Sequence, residues 1–216
     1  LKIETRKALL AKGVSQPIFE IVDNADDAKI AAKKIGFPAI VKAVDSSGSR
    51  GVTKVNSIDE VPAAFDEALS FSRTKVVLVE EYIKGLEIGA QIFSVEGKCE
   101  IILVHNDTLS EGEYMIPIGH SFPSFLTEEQ VNFAKREVEK CIQALEIKNG
   151  PSNVDLILQE ETGEAKIIEV GARIGATCLP ELMYYHTETD WVEYTIKNAL
   201  GEKFEFPAAK NNACAA

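Results

Sequence analysis

Two carboxylates set fourteen residues apart are the residues here whose types and spacing suggest chemistry: Asp155 in Asn153-Val-Asp-Leu-Ile157 and Glu169 in Glu169-Val-Gly-Ala-Arg173. Asp155 sits in the apolar run Val154 to Leu158, Glu169 lies in the run Lys166 to Val170, and Glu161-Thr-Gly163-Glu makes a polar turn between them. That pattern predicts a β-hairpin with the carboxylates facing each other near one end. Like charges repel, so such a pair costs stability unless it holds a cation or shares a proton. Oxygen donors of this kind suit Mg²⁺, which binds through one or two carboxylates plus substrate phosphates. Arg173 then supplies a fixed positive charge for a phosphoryl group. Taken alone, the trio also reads as solvated residues at strand ends.

A second group carries the complementary charge. Lys42 falls inside the apolar stretch Ala39 to Val44, where a charge is costly unless it faces a polar cleft. The loop that follows, with Ser47, Gly48, Ser49 and Gly51 before Val52, offers backbone N–H groups and permissive dihedral angles for a phosphate cradle. It is not a Walker A sequence. Val77-Leu-Val-Glu80-Glu81-Tyr82-Ile83 ends a strand whose backbone can meet an adenine edge, with Tyr82 and Ile83 on the ring. Glu80 or Glu87 can accept from ribose hydroxyls. The plainer alternatives are a lysine snorkelling from an edge strand, an ordinary turn, and a strand closing in a charged turn.

The elements that must position these groups are marked by local signals. Lys2 to Lys12 reads as a helix closed by Gly13, and Asn24 caps a second from Ala25 to Ile35. Strands are expected at Ala39 to Val44, Val52 to Val55 and Val76 to Glu80. Ser57 and Glu60 have capping-box spacing before a helix ending near Phe71, in which Pro62 is awkward. Glu96-Gly97-Lys98 joins two strands, Leu86 to Val95 and Cys99 to Val104, as a hairpin. His105 to Ser124, with its two prolines and two glycines, is expected to be the longest irregular loop. Thr127 with Gln130 caps a long helix to about Leu145, and Asp190 caps a last one from Trp191 to Leu200. This order implies an α+β fold with mostly antiparallel sheets. A Rossmann fold would alternate strand and helix and open with a glycine fingerprint.

Composition narrows the function classes. A net charge of −11 argues against a nucleic-acid or anionic-membrane binder, and no apolar run approaches a bilayer span. Four scattered cysteines without a C-x-x-C pair fit reduced cytosolic thiols, so a cytoplasmic location is expected. His105, His120 and His186 are far apart in sequence, which disfavours zinc.

Five stretches together resemble the ATP-grasp superfamily in order and spacing. They are Phe37-Pro-Ala-Ile-Val-Lys42, Ser46-Ser-Gly-Ser-Arg-Gly-Val52, Val79-Glu-Glu-Tyr-Ile-Lys-Gly-Leu-Glu87, Asn153-Val-Asp155 and Glu169-Val-Gly-Ala-Arg-Ile-Gly175. The likeness covers nearly the whole chain and is greatest to the branch of biotin carboxylase, carbamoyl-phosphate synthetase and the L-amino acid ligases. It implies two α+β lobes with the nucleotide between them. Residues 1–35 would be N-terminal helices of the core, 36–83 the small ATP-binding lobe, 84–206 the large lobe with the metal site, and 207–216 a polar tail.

The resemblance assigns Lys2 and Lys42 to the ATP phosphates, residues 46–52 to a closing loop, Glu80, Glu81, Tyr82 and Ile83 to the adenine hinge, and Glu87 to the ribose. Asp155 and Glu169 would bind Mg²⁺, with Mn²⁺ as the alternative ion, and Arg173 would steady the transferred phosphate. Glu113, His120 and Arg173 are the candidate substrate contacts; Arg6 matches a recurrent arginine without a role. Gly171 stands where many members have a metal-binding asparagine, and Ala176 replaces a frequent glycine. The family's usual N-terminal α/β domain is missing from this sequence, so the chain reads as an excised core. The implied activity is a carboxylate–amine ligase acting on small molecules through an acyl phosphate, in an enzyme of dimeric habit. The alternatives are a carbamoyl-phosphate or glycinamide-ribonucleotide type reaction, and an ATP-binding module without turnover.

Overall fold

A computed structural model describes residues 2–46, 48, 50–109, 117–208 and 210–216. The chain divides into two units: one of residues 1–10 and 16–84, the other of residues 11–15 and 85–216.

The first unit is built on a four-stranded antiparallel sheet in the order β1-β4-β2-β3, comprising β1 (Phe19–Val22), β2 (Ala39–Ala43), β3 (Val52–Val55) and β4 (Val77–Glu81). Alternation decides which face is buried. Val22, Ala39, Val41, Val55, Val77 and Val79 form one core with α2 (Ala25–Ile35) and α3 (Val61–Phe71). The alternate positions Lys42 and Glu80 point to the other face, where α1 (Lys2–Ala11) brings its buried Arg6. Asn24 caps α2 by accepting from the Asp27 N–H at 2.9 Å. Ser57 makes no such cap. A short 3₁₀ turn, Ile58–Glu60, intervenes, and α3 starts at Val61, so Pro62 occupies the first turn, where its missing N–H costs nothing.

The second unit carries a six-stranded antiparallel sheet in the order β10-β7-β6-β5-β8-β9. Its strands are β5 (Gly85–Val95), β6 (Lys98–Leu109), β7 (Pro117–Phe122), β8 (Gly150–Gln159), β9 (Ala165–Gly171) and β10 (Cys214–Ala215). Helix α4 (Glu128–Ala144) has the full capping box at Thr127 and Gln130. Helices α5 (Leu179–Thr187) and α6 (Trp191–Ala199) close an aromatic cluster around Phe93, Phe122 and Trp191.

The expected loop from His105 to Ser124 is corrected here. β6 runs on to Leu109 and β7 begins at Pro117, so His105, Asp107 and His120 are strand residues. The alternation Ile101, Leu103, His105, Asp107 continues one face of the strand while changing from apolar to polar, which hid it from a hydrophobicity reading. β1, α5 and β10 also lack the apolar periodicity that would announce them.

Candidate functional site

In the first unit the charged face holds three groups within bonding reach. Glu80 accepts from Arg6 Nε at 2.7 Å and Nη2 at 3.0 Å, and from Lys42 Nζ at 2.6 Å. Strand register explains the last contact: Ile40 lies opposite Glu80 and Lys42 opposite Leu78, so the two charged side chains are diagonal neighbours on one face. All three residues are buried. Burial pushes Lys42 down to about 8, with Glu80 holding it up against the further pull of Arg6 and Lys2. Burial alone would raise Glu80, but Lys42 and Arg6 hold its carboxyl below the usual range. Two cations thus share one carboxylate on this face.

The other sequence-predicted residues of this unit lie around that trio. Lys2 is on α1, its N–H donating to the Val44 carbonyl at 3.3 Å. Gly48 and Gly51 both take φ +65, a left-handed backbone that favours glycine, and Val52 pairs with Lys42 across β2–β3. Ser47 and Ser49 lie outside the described residues. Glu81 accepts from the Ile18 N–H at 3.2 Å, the Tyr82 ring lies beneath Lys54 Nζ at 3.8 Å, and Ile83 is buried. The Glu80 side chain is therefore committed to Arg6 and Lys42, which leaves its backbone for any nucleotide contact.

The second unit has the opposite character. Asp155 of β8 pairs directly with Glu169 of β9, as the hairpin pattern predicts, with a register shift beside it. Gly89 lies on the other side of Asp155, and His105 beyond Gly89, so one row runs His105, Gly89, Asp155, Glu169 across four strands. Glu87 and Gln91 flank Gly89 on the same face. Asp155 keeps an exposed face, yet the burial of its carboxyl among its neighbours raises it, against the bond from Asn153, and Glu169 and Asp107 push the same way. Desolvation, then Asp107 and Asp155, push Glu87 up to about 7. Asp107 goes the other way: burial would raise it, but His105 and His120 hold it down to about 2. Among the described residues no lysine or arginine pairs with Glu87, Asp107 or Asp155. A divalent cation with oxygen ligands fits this crowding of carboxylates.

Arg173 is exposed just beyond β9, its Nη1 donating to the Ile174 carbonyl at 2.8 Å. His120 Nδ1 stands 2.6 Å from Asp107 Oδ1, and His105 Nδ1 stands 2.9 Å from the same oxygen. Glu113 lies outside the described residues. Sequence reading did not single out Gln91, His105, Asp107 or the side chain of Asn153. Only the period-two alternation of β5 and β6 carried a trace of them. It also left Arg6 without a role, because its partner lies 74 residues away.

Residues 4–206 match the sequence profile of the carbamoyl-phosphate synthase L chain, ATP-binding domain. The chain is 29% identical over 206 residues to the carbamoyl phosphate synthase large chain of Caldanaerobacter subterraneus, covering 92% of this chain and 18% of that protein. It is 30% identical over 181 residues to the D-alanine–D-alanine ligase of Trichlorobacter lovleyi, covering 82% of this chain and 56% of the ligase. The crystal structure of phosphoribosylglycinamide synthetase from Anaerococcus prevotii superposes with a TM-score of 0.78 at 29% identity, over 100% of this chain and 54% of that one. The fold is thus the α+β ATP-grasp fold. In each comparison the chain spans well under two thirds of its relative's length.

Proposed function

Since the chain belongs to the family of the carbamoyl-phosphate synthase L-chain ATP-binding domain, we propose that it is the ATP-grasp core of a ligase that joins a carboxylate to an amine, releasing ADP and phosphate. The observation that carries this reading is the cross-strand pair Asp155–Glu169, set among further carboxylates. Mg²⁺ would be held there, with Mn²⁺ satisfying the same donors, and would supply neutralisation of the phosphate charge.

The chain's own residues then have distinct tasks. Lys42, with Lys2 beside it, presents positive charge to the phosphates, and the Glu80–Arg6 pair fixes its position. The loop of residues 46–52 offers its N–H groups to the same phosphates, and residues 80–83 present backbone to the adenine. Glu87 would accept from the ribose. A substrate carboxylate oxygen attacks the γ-phosphorus as the bond to the β-phosphate oxygen breaks, giving an acyl phosphate and ADP. Arg173 steadies the transferred phosphoryl oxygens. The amine nitrogen then attacks the acyl carbon, phosphate leaves, and the amine's surplus proton passes to solvent or a nearby base. Positioning and charge stabilisation supply the catalysis, and no covalent enzyme nucleophile is needed.

His120 and Glu113 are proposed contacts for the acceptor. A second reading, with bicarbonate or phosphoribosylamine as the acceptor, takes support from the two relatives at 29% identity. Gly171, which offers no side-chain donor beside Glu169, favours a third, an ATP-binding module without turnover. We place the protein in the cytoplasm, as part of a longer gene product with an N-terminal domain that completes the substrate pocket, and as a homodimer. Among the described residues no helix is long and apolar enough to cross a membrane.

The test is substrate-dependent ADP release with Mg-ATP and pools of carboxylates and amines, run on the protein extended to its natural start. Release requiring one carboxylate and one amine supports the ligase and names its substrates. ATP binding without release under any pair supports the binding module. Release with bicarbonate or phosphoribosylamine selects the second reading.

A further inference from the structure

A chain of side-chain amides crosses the acidic face beneath the carboxylates. Gln91 is fully buried at the middle of β5. Its Oε1 accepts from the Gly175 N–H at 3.1 Å, and that bond decides which end of the amide is oxygen. The Nε2 end must therefore be the donor on the other side. It donates to Asn153 Oδ1 at 2.5 Å and lies 3.2 Å from His105 Nε2. With its oxygen so occupied, Asn153 turns its Nδ2 outward and donates to Asp155 Oδ1 at 2.8 Å. A donor facing its Nε2 leaves the His105 proton to Nδ1, an atom that lies 2.9 Å from Asp107 Oδ1 but outside hydrogen-bond geometry.

The backbone is shaped to admit this chain. A Cβ on Gly175 would stand 2.8 Å from Gln91 Oε1 and 3.0 Å from Asn153 Oδ1. A Cβ on Gly89 would stand 2.1 Å from the His105 ring. Both glycines are required by the close approach of these side chains, since neither has a positive φ.

We propose that Gln91 is the positioning residue of this face: its amide orientation fixes His105 as the Nδ1–H tautomer and turns Asn153 to donate to one oxygen of Asp155. One buried side chain thereby sets the lone pairs that Asp155 presents to a cation and the imidazole nitrogen that carries the His105 proton. The first consequence rests on the proposed metal role of Asp155; the second stands without it.

A further consequence concerns His105, Asp107 and His120, whose donor atoms lie within 4.8 Å of one another and could hold a metal ion. Coordination through His105 Nδ1 needs the opposite tautomer, which Gln91 disfavours. The network therefore disfavours a metal ion at this trio and leaves the cation to Asp155 and Glu169.

The experiment is long-range ¹H–¹⁵N correlation of the imidazoles in the metal-free, nucleotide-free protein, at a pH where histidine is neutral. The proposal expects wild-type His105 as the Nδ1–H tautomer. It expects Gln91→Met to abolish that single tautomer and to weaken Mg²⁺ binding by about tenfold, the effect of losing an outer-shell partner. A wild-type Nε2–H tautomer at His105 overturns the proposal, as does stoichiometric Zn²⁺ binding that His105→Gln removes. An unchanged His105 tautomer and Mg²⁺ affinity in Gln91→Met overturn it as well. If Gln91→Met does not fold, the wild-type tautomer decides. The expected tautomers with no Mg²⁺ binding in the wild type support the network and overturn the metal reading of Asp155.

Discussion

The two units hold charge in opposite ways. In the first, one carboxylate, Glu80, is shared by two cations, Arg6 and Lys42, in a closed cluster. In the second, Glu87, Asp107 and Asp155 lie among like charges, with the His105 and His120 imidazoles beside Asp107 and the Asn153 amide on Asp155. A closed cluster is held by its own geometry, and breaking it leaves a buried charge exposed to the full desolvation cost. A crowd of like charges costs stability until a cation arrives. The first unit therefore pays nothing further to present its lysine, while the second is poised to gain from a ligand.

The largest effect should follow from opening the closed cluster. Glu80→Gln takes the shared carboxylate from the buried Arg6 and Lys42, and the expected loss is about 3–5 kcal/mol in a denaturant titration. A loss below about 1 kcal/mol would break the comparison, because the trio would then be no tighter than a surface pair.

Next comes the mirror experiment in the second unit. Asp155→Asn removes a like charge opposite Glu169, so its stability without metal should hold or rise slightly. Mg²⁺ affinity, read by calorimetry, should fall at least about tenfold, since a donor to the ion is lost. A large loss of stability without metal would mean that Asp155 is already compensated, and the contrast would fail.

A smaller effect is expected in the pH dependence. Glu87 is pushed up to about 7 from an ordinary value of 4.5. Between those values the folded protein keeps a proton that the unfolded chain has released, so stability falls as pH rises through that window. Lys42 works in the other direction. Its value near 8, below the ordinary 10.5, makes stability rise between those pH values. Melting temperatures followed from acid to neutral pH should fall less steeply in Glu87→Gln than in the wild type. Saturating Mg²⁺ should shift the Glu87 step to lower pH. Identical slopes would show that Glu87 titrates as a solvated group.

Much of this division was legible from residue types. The Asp155–Glu169 pairing followed from two apolar runs and a polar turn, because a hairpin's register is set locally. Lys42 in an apolar strand announced a buried charge, and the closed cluster supplies its reason. What stayed hidden was non-local or polar. Arg6 meets Glu80 only through tertiary packing, and the second half of β6 exchanges leucine for histidine and aspartate without leaving the sheet. Period-two patterning fails as a signal wherever a strand face turns polar, which is what a binding face requires.

The smallest test concerns two helix starts that look alike in sequence, one per unit. Ser57 and Glu60 before α3, and Thr127 and Gln130 before α4, share the same spacing. In the second unit the box closes: the Thr127 side chain accepts from the Gln130 N–H at 3.3 Å, and Gln130 Oε1 accepts from the Thr127 N–H at 3.0 Å. In the first, the 3₁₀ turn separates Ser57 from α3, and its hydroxyl reaches only the Glu60 carboxylate, at 3.3 Å. Thr127→Ala should therefore cost about 1 kcal/mol, the usual value of an N-cap. Ser57→Ala should stay within about 0.5 kcal/mol, as for other surface changes that remove no backbone partner. Equal losses in the two variants would mean that Ser57 caps the chain in solution after all, and that α3 begins where its sequence suggests.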